Sequence, residues 1–119
     1  MIKYKGNPQN NIVEIFIDGN ITETDVKRIT SQLKADLKKH GKLRILEQVR
    51  DSYDMNSMML LKDILFGLSP TIDFTHAALV TDAKWMPTYT EAIDNVLPTK
   101  VKAFESAQIE KARVWLTSS

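Results

Sequence analysis

HAALVT, residues 76–81, decides how this chain is built, because it is a short and almost unbroken apolar run. A strand apolar at successive positions is covered on both faces, as an interior strand of a parallel sheet is. The nearest strand-like neighbours are LRILEQV (43–49) upstream and KVKAF (100–104) downstream. Helical patterns separate them. Met58, Leu60, Leu61, Ile64, Leu65 and Leu68 fall on one wide stripe at about 100° per residue, and Pro70 ends that helix region. Over roughly 83–96, Trp85, Met86, Tyr89, Ile93, Val96 and Leu97 form a second stripe, with Pro87 tolerated in the first turn.

Further out, residues 2–4 and 11–18 read as two strands joined by a turn-rich KGNPQN. Val13, Ile15 and Ile17 alternate with Glu14 and Asp18, the period of a sheet, while Phe16 breaks the polar side. Thr22 or Thr24 caps a helix with Asp25 in its first turn and Val26, Ile29, Leu33 and Leu37 as its apolar stripe; Gly41 stops it. Ser106 is expected to cap a last helix bearing Ile109, Ala112, Trp115 and Leu116. The order is ββαβαβαβα. Strands alternating with long helices imply crossover connections, hence an open α/β fold. We expect a mixed sheet of about five strands with four helices, an antiparallel N-terminal pair, and Ala77, Leu79 and Val80 buried in mid-sheet.

Composition sets the bounds on function. A chain of 119 residues, 43% apolar and 26% charged, reads as one globular domain with a core large enough to need no staple. Its net charge of +1 gives no global pull toward nucleic acid, and no cysteine is present for disulfide or thiolate chemistry. No apolar run reaches transmembrane length and the N-terminus lacks an export-type apolar core, so a bacterial-style cytoplasmic domain is expected.

Catalytic patterns are absent: no P-loop, GxGxxG, HExxH or GxSxG occurs. His40 sits at a helix end, where it is expected to face solvent and complement the dipole. His76 reads as a hydrogen-bonded edge residue. The expectation is a domain that is not an enzyme, with no cofactor and no metal. Lys27, Arg28, Lys34, Lys38, Lys39, Lys42, Arg44 and Arg50 outnumber Asp25, Asp36 and Glu47 locally. A solvated helix face accounts for them, with an electrostatic assist to an anionic membrane as the alternative. No aromatic residues interleave this run, which argues against nucleic acid.

The segments HGKLRILEQV, LLKDILFGL, DFTHAALVTDAKW and EKARVWL resemble the SpoIIAA-like family, small domains related in fold to STAS anti-sigma-factor antagonists. The resemblance implies a STAS-type α/β fold for residues 1–119. STAS antagonists carry a phosphorylatable serine after the third strand in a pattern like Asp-Ser-Ser-Gly. Here the region reads Asp54-Met55-Asn56-Ser57-Met58-Met59, which places Ser57 near that position without the preceding serine or the following glycine. Ser57 or Asn56 serves equally as an ordinary N-cap.

Met55, Met59 and Phe66 lie off the core stripe of the 55–68 segment, beyond Lys62 and Asp63. Such a second apolar side faces a subunit, a greasy ligand or a membrane surface. Both flanking helices begin at strand C-terminal ends, where open α/β sheets bind ligands. Met55, Met59, Phe66, Trp85, Met86 and Tyr89 are therefore the expected ligand-binding wall, with a non-polar small molecule as ligand and peripheral contact with the inner face of the membrane. STAS-like sheets are also similar to the core of CRAL-TRIO lipid-binding domains, an analogy of fold. The alternative is a STAS-like interaction module that takes a homodimeric or regulatory protein partner, phospho-regulated at Ser57.

Overall fold

Two strands open the chain, β1 (Ile2–Lys5) and β2 (Ile12–Ile17), paired antiparallel with Ile2 opposite Ile17 and Lys5 opposite Glu14. The structure is a computed structural model, and it describes residues 2–7, 9–19, 22–50, 74–82 and 100–118. Helix α1 (Glu23–His40) crosses to β3 (Leu43–Val49). Strands β4 (Phe74–Val80) and β5 (Lys100–Phe104) follow, and a 3-10 turn at Ser106–Gln108 leads into α2 (Ile109–Ser118). One sheet of order β1-β2-β3-β4-β5 results, with β2 to β5 mutually parallel. The mixed five-stranded sheet is thus the one expected. The expected helices over 57–68 and 83–96 lie outside the described residues.

Parity along the strands divides the core into two layers, because successive side chains point to opposite faces. On one face Val26, Ile29, Leu33 and Leu37 of α1 pack over Ile2, Val13, Ile15, Ile17, Leu43, Ile45 and Val49. On the other, Ala112 and Leu116 of α2 seal Leu46, Ala78, Val80 and Phe104, with Ile109 and Trp115 at the margin. A fully buried Ile or Leu contributes about 1.5–3 kcal/mol to this packing.

Local chemistry sets the helix ends. Thr22 and Asp25 form a reciprocal cap: the Asp25 amide donates to Thr22 Oγ1 and the Thr22 amide to Asp25 Oδ2, both at 3.1 Å. Gly41 closes α1 at φ +81°, donating its amide to the Leu37 carbonyl at 2.7 Å. That left-handed φ is why glycine stands there.

Helix α2 and the 3-10 turn that leads into it are tied down by polar contacts from β2, from β3 and from the residue Asp82 after β4. Arg113 grips Glu14 of β2 through Nε at 3.2 Å and Nη2 at 3.1 Å. Arg44 of β3 donates to the Leu116 carbonyl at the helix C-terminus. Asp82, just after β4, accepts the Ser106 amide at 2.9 Å and the Ser106 hydroxyl. These last bonds hold the Asp82 carboxyl below its ordinary range. Ser106 is therefore not the cap of the last helix. It lies inside the 3-10 turn, whose cap is Glu105, with Gln108 as the reciprocal partner.

Two further expectations need correction. Ala77 is only half-buried while Ala78 is fully buried, because Ala78 lies under Ala112 and Leu116 of α2 whereas Ala77 lies in the β4–β5 half of the α1-side face, where Val101 and Ala103 are also half-buried. His76 is no edge residue: β4 is an interior strand, and His76 is flanked in register by Arg44 and Lys100.

Candidate binding site

Among the described residues, the buried layer under α1 contains one carboxyl group. In β3, Leu43, Ile45, Glu47 and Val49 share parity and point to the same face, so a strand that delivers three apolar side chains delivers Glu47 among them. Glu47 is 4% exposed. Its register neighbours are Ile15 on β2 and Leu79 on β4, both buried, and Leu79 in turn pairs with Ala103 of β5. Oε2 of Glu47 is sealed from solvent without a hydrogen-bond partner. Burial alone pushes its carboxyl up to about 7. A protonated acid is the form that such a setting tolerates, since an isolated ion would have to shed its water with nothing in exchange.

The apolar layer around Glu47 is not sealed evenly. Ile15, Ile45, Val49 and Leu79 are buried, whereas Phe74 and Ala77 of β4 and Val101 and Ala103 of β5 are half-buried. The row Ile15–Glu47–Leu79–Ala103 thus runs across the sheet from its closed half to its partly accessible half. Glu47 lies in the C-terminal half of β3, toward the sheet end where open α/β folds bind ligands.

Across the sheet, under α2, His76 is buried with Nδ1 3.0 Å from Thr75 Oγ1. Its ring stands edge-on to Trp115, centroids 5.4 Å apart and planes at 74°. Desolvation, followed by the fields of Arg44 and Lys100, lowers its basicity. A neutral imidazole packed against an indole is a structural arrangement. Nearby, a groove of about 400 Å³ runs between the β1–β2 turn and α2, lined by Lys5, Asn7, Asn10, Glu14 and Arg113 among others. Its two best-placed charges, Glu14 and Arg113, already satisfy each other.

His40 also departs from its expected place. It is half-buried, and its Nε2 is shielded from solvent without a partner. The basic run does not act as one surface. Arg28 donates to the Ile2 carbonyl at 2.8 Å and pairs with Asp25, and Arg44 holds α2. Arg50 sits 5.8 Å from the Phe16 ring and 3.6 Å from Asp18. Lys27, Lys34, Lys38, Lys39 and Lys42 are exposed, the solvated face expected of α1 and its end. Among the described residues, no group of three or more His, Asp or Glu side chains is placed to hold a metal ion, and no helix is long and apolar enough to cross a membrane.

Met55, Met59, Phe66, Trp85, Met86 and Tyr89, the expected ligand wall, and Ser57, the expected phosphosite, all lie outside the described residues. In the sequence Glu47 reads as one local acid against a basic run, yet its spacing from Leu43, Ile45 and Val49 is the signal that places it on the buried parity.

The described residues form an open mixed α/β sheet with a helix on each face and one buried acid in the layer under α1. The SpoIIAA-like family model matches residues 12–117, and the chain belongs to the SpoIIAA-like family. No curated protein and no solved structure matches the chain.

Proposed function

We propose that this SpoIIAA-like domain is a non-catalytic STAS-type binding module whose ligand is a non-polar small molecule, held against the β4–β5 half of the α1-side sheet face. The observation that carries this reading is the uneven sealing of that face. Phe74, Ala77, Val101 and Ala103 stay half-buried beside a fully closed β2–β3 half. Accessible apolar surface continuous with a core favours an apolar occupant. Met55, Met59, Phe66, Trp85, Met86 and Tyr89, which the sequence pattern singles out as a second apolar surface, are the residues we propose for the rest of the wall. Peripheral contact with an anionic membrane, assisted by the exposed lysines of α1, would be the route of delivery.

Family membership favours a second reading, a regulatory module that binds a protein partner or a second copy of itself, with Ser57 as the regulated position. Native mass spectrometry of the purified protein separates the two. A monomer carrying a co-purified apolar molecule is the expected result. An empty dimer, with no uptake of octane or 2-octanone, would replace the ligand reading with the interaction reading.

A further inference from the structure

Glu47 has a consequence beyond a greasy site, and the argument rests on the ligand reading just given. A pocket needing only apolar contact has no use for a carboxyl group. Leucine or methionine at position 47 would fill the layer and remove an unsatisfied polar atom. We propose that Glu47 is the recognition point for a neutral oxygen acceptor, such as a ketone, ester or amide carbonyl, on an otherwise apolar molecule. The neutral carboxyl donates its O–H to that oxygen, and the ligand's apolar body lies along the row through Leu79 and Ala103.

Three observations select this chemistry. Oε2 of Glu47 is buried and has no hydrogen-bond partner among the described residues, so a hydrogen-bonding capacity stands unused. Among the described residues, its nearest neighbours by register and parity, Ile15, Ile45, Val49 and Leu79, are all apolar and cannot satisfy it. No cation faces it from the described elements either. Helix α1 presents Val26, Ile29, Leu33 and Leu37, β2 presents Val13, Ile15 and Ile17, β4 presents Ala77 and Leu79, and β5 presents Val101 and Ala103. Of the other ionisable groups on β1 and α1, Tyr4 and Asp36 are bonded to each other, Arg28 is held by the Ile2 carbonyl and Asp25, and half-buried His40 ends α1 just before the start of β3, whereas Glu47 is in the C-terminal half of that strand. An apolar environment without a counter-charge favours the neutral acid, and a neutral acid selects an acceptor rather than an ammonium group.

The test is a titration of the whole protein with 2-octanone, octane and octylammonium, read by the methyl NMR signals of Ile15, Ile45 and Leu79. Expected is 2-octanone binding tighter at pH 6 than at pH 8.5 by roughly three- to tenfold, the range of one buried hydrogen bond. Octane should bind with no pH dependence. Glu47→Gln, which keeps a donor, should bind 2-octanone equally at both pH values. Glu47→Leu should lose the preference for 2-octanone over octane, and the dispersed methyl spectrum checks that each variant is folded. If both molecules bind the parent but neither pH nor Glu47→Leu alters their ratio, the role of Glu47 is overturned and the apolar site survives. Octylammonium binding more tightly at pH 8.5 would likewise overturn the acceptor assignment. If neither octane nor 2-octanone shifts any of these methyl signals, the ligand reading falls and this proposal falls with it.

Discussion

Replacing Glu47 with leucine should stabilise this protein, and by an amount that depends on pH. Burial raises the carboxyl of Glu47 from an ordinary 4.5 to about 7 in the folded state. Below 4.5 both folded and unfolded chains carry the proton, and the site costs nothing electrostatically. Between 4.5 and 7 the unfolded chain releases its proton while the folded one retains it, so the parent loses stability as pH rises. Above 7 both states are ionised and the loss levels off. At about 1.4 kcal/mol per unit, the interval corresponds to roughly 3 kcal/mol. Leucine does not titrate and adds apolar contact with Ile15 and Leu79, so Glu47→Leu should exceed the parent by about 3 kcal/mol or more at pH 8, and by much less at pH 4.5. Urea denaturation followed by circular dichroism, run for parent, Glu47→Leu and Glu47→Gln from pH 4.5 to 8, measures these differences. Parent and variant curves that stay parallel across this range would refute the buried neutral acid.

Other outcomes can be checked alongside. Met59→Asp with Phe66→Asp should abolish binding of octane and of anionic liposomes while the circular dichroism spectrum stays native; a folded variant that binds both like the parent would remove the proposed wall. Gly41→Ala should cost about 1 kcal/mol in urea unfolding, because φ +81° is strained for any residue with a Cβ; an unchanged midpoint would contradict the α1 stop. A double-mutant cycle on Arg113→Ala and Glu14→Ala should give a coupling of about 0.5–1 kcal/mol, as both side chains are partly exposed and the contact is screened. Thr22→Ala should lower stability by about 1 kcal/mol through loss of the reciprocal cap, and an unchanged denaturation midpoint would argue against that cap.

By itself the sequence determined the elements whose causes are local. Alternation at Val13, Ile15 and Ile17 specified β2, and the spacing of Val26, Ile29, Leu33 and Leu37 specified the buried stripe of α1. Thr22, Asp25 and Gly41 marked that helix's ends, because caps and stops are set by residues within one turn of each other. The antiparallel start and parallel continuation followed from connection lengths, since a short turn joins only antiparallel strands and a helix-long link favours a crossover. Tertiary structure decided what depends on residues far apart in the chain. Arg44 looked like one more cation until α2 placed the Leu116 carbonyl beside it. Ser106 looked like a cap until Asp82, separated from it by a whole crossover, took its amide and hydroxyl. Ala77 and Ala78 are indistinguishable as letters, and only the seating of α2 seals one more tightly than the other. For Glu47 the two levels meet. Parity in β3 assigns its face, but only the packing of β2 and β4 on either side, in the layer beneath α1, shuts Oε2 of its carboxyl group away from solvent without a partner.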